Sequence, residues 1–225
     1  MISIQHLDFR YGKNEVIKGL DWQLESGKVH GLVGMNGAGK TTLFNLMAAW
    51  LKPAAGSILY AGKPVSRYTC AFMETAPQFY PMITGKEYLD LFRLKNPAFD
   101  IGAWNNIFGL PLSSVVDNYS TGMQKKLSLL GTIAMNREIL ILDEPFNGLD
   151  FETVRIVRQM ITTLATKSKT VILSSHIPES LTRVCDSISL INNGKIAFKA
   201  DREQFADFDR MVGEFSPDRN MEIPL

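Results

Sequence analysis

Gly34-Met35-Asn36-Gly37-Ala38-Gly39-Lys40-Thr41 fits the pattern G-x-x-x-x-G-K-[ST] at every fixed position, and the fold follows from how it is read. Glycines at 34, 37 and 39 free the backbone to turn tightly, so that successive peptide N–H groups point inward at an anion. Lys40 adds a point charge for the β and γ phosphates of a nucleoside triphosphate, and Thr41 a hydroxyl for Mg²⁺. Before the loop, Val29-His30-Gly31-Leu32-Val33 reads as a short buried strand. After it, Thr42 and the run to Ala49 read as a helix whose positive end faces the loop. A Gly-rich turn that merely contains Lys-Thr is the competing reading, and a strand before with a helix after speaks against it. The candidate phosphate cradle is therefore Gly34, Asn36, Gly37, Gly39, Lys40, Thr41 and Thr42.

The chain of 225 residues is about one and a half typical domains, so a main α/β unit with an inserted subdomain is expected. Hydrophobic content of 45% and charged content of 21% are ordinary globular values. A formal net charge of +1 gives no broadly basic surface, so no nucleic acid partner is expected. Cys70 and Cys185 lie far apart without metal-ligand spacing, which fits structural thiols in a reducing interior. Residues 1–6 alternate like a strand rather than opening a signal peptide, and no apolar run approaches the roughly 20 residues that span a bilayer. If the protein works at a membrane, another chain must supply the spans.

Residues 2–10 and 20–24 alternate apolar with polar, as half-exposed antiparallel strands do, and 56–62 look like another. From about 84 to 135 the period turns helical, opening on Thr84 and Glu87 at capping-box spacing. The runs 138–143 and 169–175 are continuously apolar, as in parallel strands covered on both faces, and a helix at 151–166 connects them. A last hairpin turns at Asn192-Asn193-Gly194. Residues 201–225 read as a weakly specified tail. The resulting division is a nucleotide-binding core of 1–76 and 137–200, a helical subdomain of 77–136, and that tail.

Asp143 and Glu144 close the buried run 139–142, placing two carboxylates where doubly wound sheets bind ligands. Asp143 is placed to hold Mg²⁺ with Thr41, and Glu144 to orient and polarise an attacking water. A pair of solvated acids at a strand end is the plainer alternative.

Between loop and carboxylates, Tyr119-Ser120-Thr121-Gly122-Met123 resembles the LSGGQ signature of ATP-binding-cassette (ABC) ATPases, just upstream of the Asp143-Glu144 strand. The resemblance covers nearly the whole chain. Tyr11 sits where the family carries an adenine-stacking aromatic, Asn147-Gly148-Leu149-Asp150 matches its D-loop, and His176 after Ser174-Ser175 matches its switch histidine. Each also has an ordinary reading: Tyr11 as a surface aromatic, Asp150 as a helix cap, His176 as a satisfied strand-end side chain. The resemblance implies a P-loop NTPase core with a partly antiparallel N-terminal sheet and an inserted α-helical subdomain. It implies ATP and Mg²⁺ as ligands, and Glu144, His176 and Lys40 as catalytic. Ser120 is a good N-cap for a helix at about 123–135, whose N–H groups form a second anion site in a chain that already has one. In the family, Ser120 and Gly122 of one subunit close on the nucleotide of a second ATPase subunit. Thr121 and Met123 depart from the usual Gly and Gln.

At the Q-loop the family carries a Gln. Alignment through Tyr80-Pro81 places Glu74 there, with Gln78 as rival, and a carboxylate can still take part in Mg²⁺ or water coordination. Residues 80–87 are similar to ATPase subunits of bacterial exporters that pair with a separate integral membrane permease. The leading expectation is such a subunit, on the cytoplasmic face of the inner membrane. The alternatives are a soluble ABC-type ATPase acting on DNA, ribosomes or cofactor assembly, and a binding module that has lost hydrolysis.

Overall fold

The computed structural model describes residues 1–213. Its N-terminal half runs β1 (Ile2–Tyr11), β2 (Asn14–Leu24), β3 (Val29–Val33), α1 (Lys40–Met47), β4 (Ala55–Tyr60), β5 (Lys63–Pro64) and β6 (Cys70–Met73). Three helices follow, α2 (Gly85–Arg93), α3 (Ile101–Phe108) and α4 (Thr121–Ala134). The chain then returns through β7 (Ile139–Leu142), α5 (Phe151–Thr166), β8 (Thr170–Ser175), α6 (Pro178–Thr182), β9 (Ser187–Asn192), β10 (Lys195–Asp201) and α7 (Phe208–Gly213).

Two sheets result, and the two kinds of hydrophobic pattern account for them. The alternating strands form a four-stranded antiparallel sheet ordered β2-β1-β4-β5. The continuously apolar ones form the centre of a six-stranded sheet ordered β10-β9-β3-β8-β7-β6, parallel except at β10, with the alternating hairpin β9–β10 at one edge. Because side chains alternate along a strand, a run such as 139–142 feeds both faces of its sheet. Ile139 and Ile141 join a core with Phe44, Leu43 and the antiparallel sheet, while Leu140 and Leu142 join a core with Leu127, Leu130 and Ile161 of the helices. The buried Trp22 indole donates to Ser189 Oγ at 2.9 Å, tying the two sheets together across the first core.

Local signals set several boundaries. Thr84 and Glu87 form the capping box of α2. Asn193 and Gly194 take φ values of 49° and 77°, the double left-handed turn a two-residue hairpin requires. One strand was not anticipated, and one expectation needs correction. Strand β6 has no alternation and no β-branched residue in Cys70-Ala71-Phe72-Met73, yet it is fully buried at the sheet edge beside β7. The supposed tail is structured as far as it is described. Asp201 ends β10, residues 202–207 form a 3-10 turn, and Phe208 is fully buried against Phe198 with ring centroids 5.5 Å apart. Residues 214–225 lie outside the described residues.

Candidate functional site

The loop between β3 and α1 forms one wall of a cavity of about 490 Å³, lined among others by Tyr11, Asn36, Gly37, Gly39, Lys40, Thr41, Thr42, Asp143 and Glu144. Gly39 has φ 107°, a geometry open to glycine and costly for other residues. At Gly34 a Cβ would lie 2.7 Å from the Ile191 carbonyl oxygen, so only glycine fits between the loop and β9. Helix α1 starts at Lys40 with no side-chain cap and no acidic residue in its first turn. Its leading N–H groups are thereby left for an external anion.

The Lys40 ammonium is buried and donates to the carbonyls of Gly34 at 2.6 Å and Met35 at 3.3 Å. Burial lowers its pKa, opposed by the nearby Glu144 and Asp143 carboxylates. Thr41 Oγ1 donates to Asp143 Oδ2 at 2.6 Å, and Ser174 Oγ donates to the other Asp143 oxygen. Asp143 is fully buried, and each of its two carboxylate oxygens accepts from one hydroxyl, Ser174 from strand β8 and Thr41 from helix α1.

Glu144 stands in the left-handed backbone region at φ 51°. Its N–H donates to Ser174 Oγ at 2.8 Å, and its carboxylate Oε2 lies 3.1 Å from His176 Nδ1. The histidine follows β8 directly and reaches Glu144 across the strand ends, bringing the two into one pair beside the loop.

These donors fit a bound nucleoside triphosphate and its Mg²⁺. A buried ammonium satisfied only by carbonyls, an uncapped helix end, and a hydroxyl paired to a buried carboxylate suit phosphate oxygens and an octahedral cation. Among the described residues no group of three His, Cys, Asp or Glu side chains converges as a protein cage. Thr41 and Asp143 would therefore be the protein's ligands to a Mg²⁺ that takes the rest of its shell from phosphates and water.

Not every candidate converges there. Ser120 caps α4, accepting the Met123 N–H at 3.2 Å, and Asp150 caps α5, accepting from Thr153 N–H and Oγ1 at 2.8 Å each. Together with Gly122, whose Cβ position is 3.3 Å from the Gly148 carbonyl oxygen, they stand apart from the Lys40 cavity. Glu74 is half-buried directly after β6, but the residue that reaches the cavity wall is Thr75. Gln78 lies in a neighbouring hollow with Thr121, Lys125 and Asn147. Sequence reasoning passed over Asn14, Val16 and Thr75 in the cavity wall. It also passed over Lys125, whose buried ammonium donates to the carbonyls of Glu144 at 2.8 Å and Asn147 at 2.9 Å.

A glycine loop between a parallel strand and a helix, with Asp-Glu closing a nearby strand of the same sheet, defines a P-loop nucleotide-binding protein. The family profile described as ABC transporter matches residues 17–147, and the chain belongs to that family as an ATPase and ATP-binding subunit. It is similar to the ABC transporter ATP-binding protein YtrB of Bacillus subtilis, at 28% identity over 99% of this chain and 80% of that protein. It is 31% identical to the Nod factor export ATP-binding protein I of Burkholderia thailandensis, over 89% of this chain and 71% of that one. Among solved structures, an ATP-binding subunit of an ABC transporter superposes with TM-score 0.88 at 24% identity, covering 96% of this chain and 100% of the other. A dimeric ATP-binding cassette, MJ0796, in a post-hydrolysis state with ADP and Pi superposes with TM-score 0.78 at 18% identity, covering 90% and 99%.

Proposed function

We propose that this chain is the ATP-hydrolysing subunit of an exporter, pairing with a second ATPase subunit and with a separate membrane permease at the cytoplasmic face of the membrane. The observation that carries the hydrolytic part is the convergence of Lys40, the Thr41–Asp143 pair and Glu144 on one cavity, with His176 lining the adjoining hollow and reaching the Glu144 carboxylate from there. Lys40 holds the β and γ phosphates and balances the charge that spreads over the γ-phosphoryl oxygens as the terminal bond breaks. Glu144 orients the attacking water and accepts its proton, and His176 keeps the Glu144 carboxylate aimed and offers a second polar group toward the γ-phosphate. Mg²⁺, when bound, supplies further charge neutralisation, with Thr41 and Asp143 as its protein ligands. Tyr11, half-exposed at the cavity mouth and edge-on to Phe9, is the base-stacking candidate.

Pairing is supported by the separate position of Ser120, Gly122 and Asp150, none of which lines the Lys40 cavity of its own chain. They close on the nucleotide of a second ATPase subunit. Among the described residues no helix is long and apolar enough to cross a membrane, and in this reading a separate permease supplies the spans. The export direction draws on the Burkholderia relative, which is named for Nod factor export.

The test is affinity purification of the tagged chain from detergent-solubilised native membranes, with phosphate release measured on the product. A stoichiometric multi-span protein together with ATP-dependent phosphate release supports the reading. A ribosomal, DNA-associated or cofactor-assembly partner replaces the transport part of it, and absence of phosphate release removes the hydrolytic part.

A further inference from the structure

Lys125 lies one and a half turns into α4, the helix that Ser120 opens, and its side chain is almost completely buried. Both of its hydrogen-bond acceptors are main-chain carbonyls, of Glu144 and Asn147. An ammonium in such a place is a poor way to fill volume. A methionine of similar length would avoid the desolvation altogether, so the lysine's contribution is the fixed position of what it binds. What it binds is the loop after β7, where Glu144 occupies a left-handed conformation that a glutamate does not favour.

Two hydrogen bonds hold that conformation from opposite sides. Ser174 of β8 takes the Glu144 N–H, and Lys125 of α4 takes the Glu144 carbonyl. The first anchor belongs to the central sheet and the second to the helical layer. The second Lys125 bond, to Asn147, fixes the start of the segment whose Gly148 carbonyl lies beside Gly122.

We propose that Lys125 is a positioning residue for hydrolysis: it clamps the Glu144 and Asn147 carbonyls and thereby sets the Glu144 carboxylate from the helix that carries Ser120 and Gly122. The proposal rests on the role of Glu144 given above. It makes the aim of the water-activating group depend on where α4 sits, so that displacement of the helical layer slackens Glu144 without touching the phosphate cradle.

Lys125→Met in the full chain tests this. Steady-state kcat is expected to fall about tenfold or more, while KM and the affinity for a fluorescent ATP analogue stay within about twofold. Lys125→Arg, whose guanidinium also reaches two carbonyls, recovers part of the lost kcat. In a Glu144→Gln background Lys125→Met causes no further loss in single-turnover rate, because the group it positions is already gone. Wild-type kcat in Lys125→Met alongside a slow Glu144→Gln overturns the proposal, as does an additive loss in the double variant. A Glu144→Gln chain that hydrolyses at the wild-type rate overturns the assignment of Glu144 instead. If Lys125→Met aggregates, Lys125→Gln, which keeps an amide donor in the buried site, is judged by the same split between kcat and KM.

Discussion

Helices α1 and α4 both begin beside glycines and both lie next to the catalytic loop, yet their N-termini are finished differently. At α4 the Ser120 hydroxyl accepts the Met123 N–H, the ordinary way a helix satisfies its leading donors. At α1 the cap is Gly39, which has no side chain to offer, and the first helical residue is the buried Lys40. One helix end is complete within its own chain and the other is built to be completed by an anion. The difference teaches that hydrolysis needs a site organised in advance, whereas the α4 end is folded and stable by itself and, in the proposed pairing, meets a phosphate only when a second subunit brings one.

Four variants break or sharpen that contrast. Glu144→Gln has the largest expected effect: ATP binding persists, phosphate release falls about 10²-fold to 10³-fold, and an ATP-bound dimer accumulates on size-exclusion chromatography. A rate within a few-fold of wild type contradicts the role. Lys40→Ala comes next, with affinity for a fluorescent ATP analogue down about 100-fold and the melting temperature without ATP little changed; undiminished binding refutes the assignment. Ser120→Ala should leave monomer nucleotide affinity intact, lower stability by about 1 kcal/mol through the lost cap, and weaken ATP-driven pairing. A fall in monomer affinity would show that the α4 end serves its own chain's nucleotide.

The smallest effect is a control placed away from both helix ends. His30 is buried in β3, with Nε2 2.9 Å from the Glu25 carbonyl and Nδ1 2.9 Å from Ser187 Oγ. Burial lowers its pKa, with the Glu25 carbonyl partly opposing. The unfolded imidazole therefore takes up a proton first. Its stabilising contribution is full above the unfolded value of about 6.5 and is lost as the pH falls below it. Denaturant midpoints between pH 7.5 and pH 5 should drop less for His30→Gln than for the wild type, and equal slopes would assign the acid sensitivity elsewhere.

Much of this was legible wherever a local rule acts alone. The expected helix over 151–166 is the observed Phe151–Thr166, because Asp150 caps it and the apolar period is strong. The antiparallel and parallel sheets were readable from alternating and continuous apolar runs. The strand–loop–helix unit around Lys40 and the place of Asp143 and Glu144 at the end of β7 were readable because the glycine-loop pattern and the buried apolar run each fix residue types in order. Strand β6 was not, since four residues of mixed propensity become a strand only through pairing with β7. Phe208 was not, because its partner Phe198 is on another element. Lys125 was hidden for a third reason. A lysine in a helix reads as solvent-facing, and Lys125, Ser128 and Thr132 form a buried polar stripe whose satisfaction depends on tertiary carbonyls and on the helix's own backbone. Glu74 shows the limit of alignment by motif, since a shift of one residue puts Thr75 rather than the carboxylate into the cavity wall.

The backbone of Glu144 also sets activity against durability. A side chain held at φ 51° costs about 1–2 kcal/mol that glycine would not incur. Glu144→Gly is therefore expected to raise the melting temperature while removing the carboxylate proposed to activate water. A selection for thermal robustness alone would drive this chain toward an inert nucleotide binder, and a library scored on both properties would find this position where they diverge.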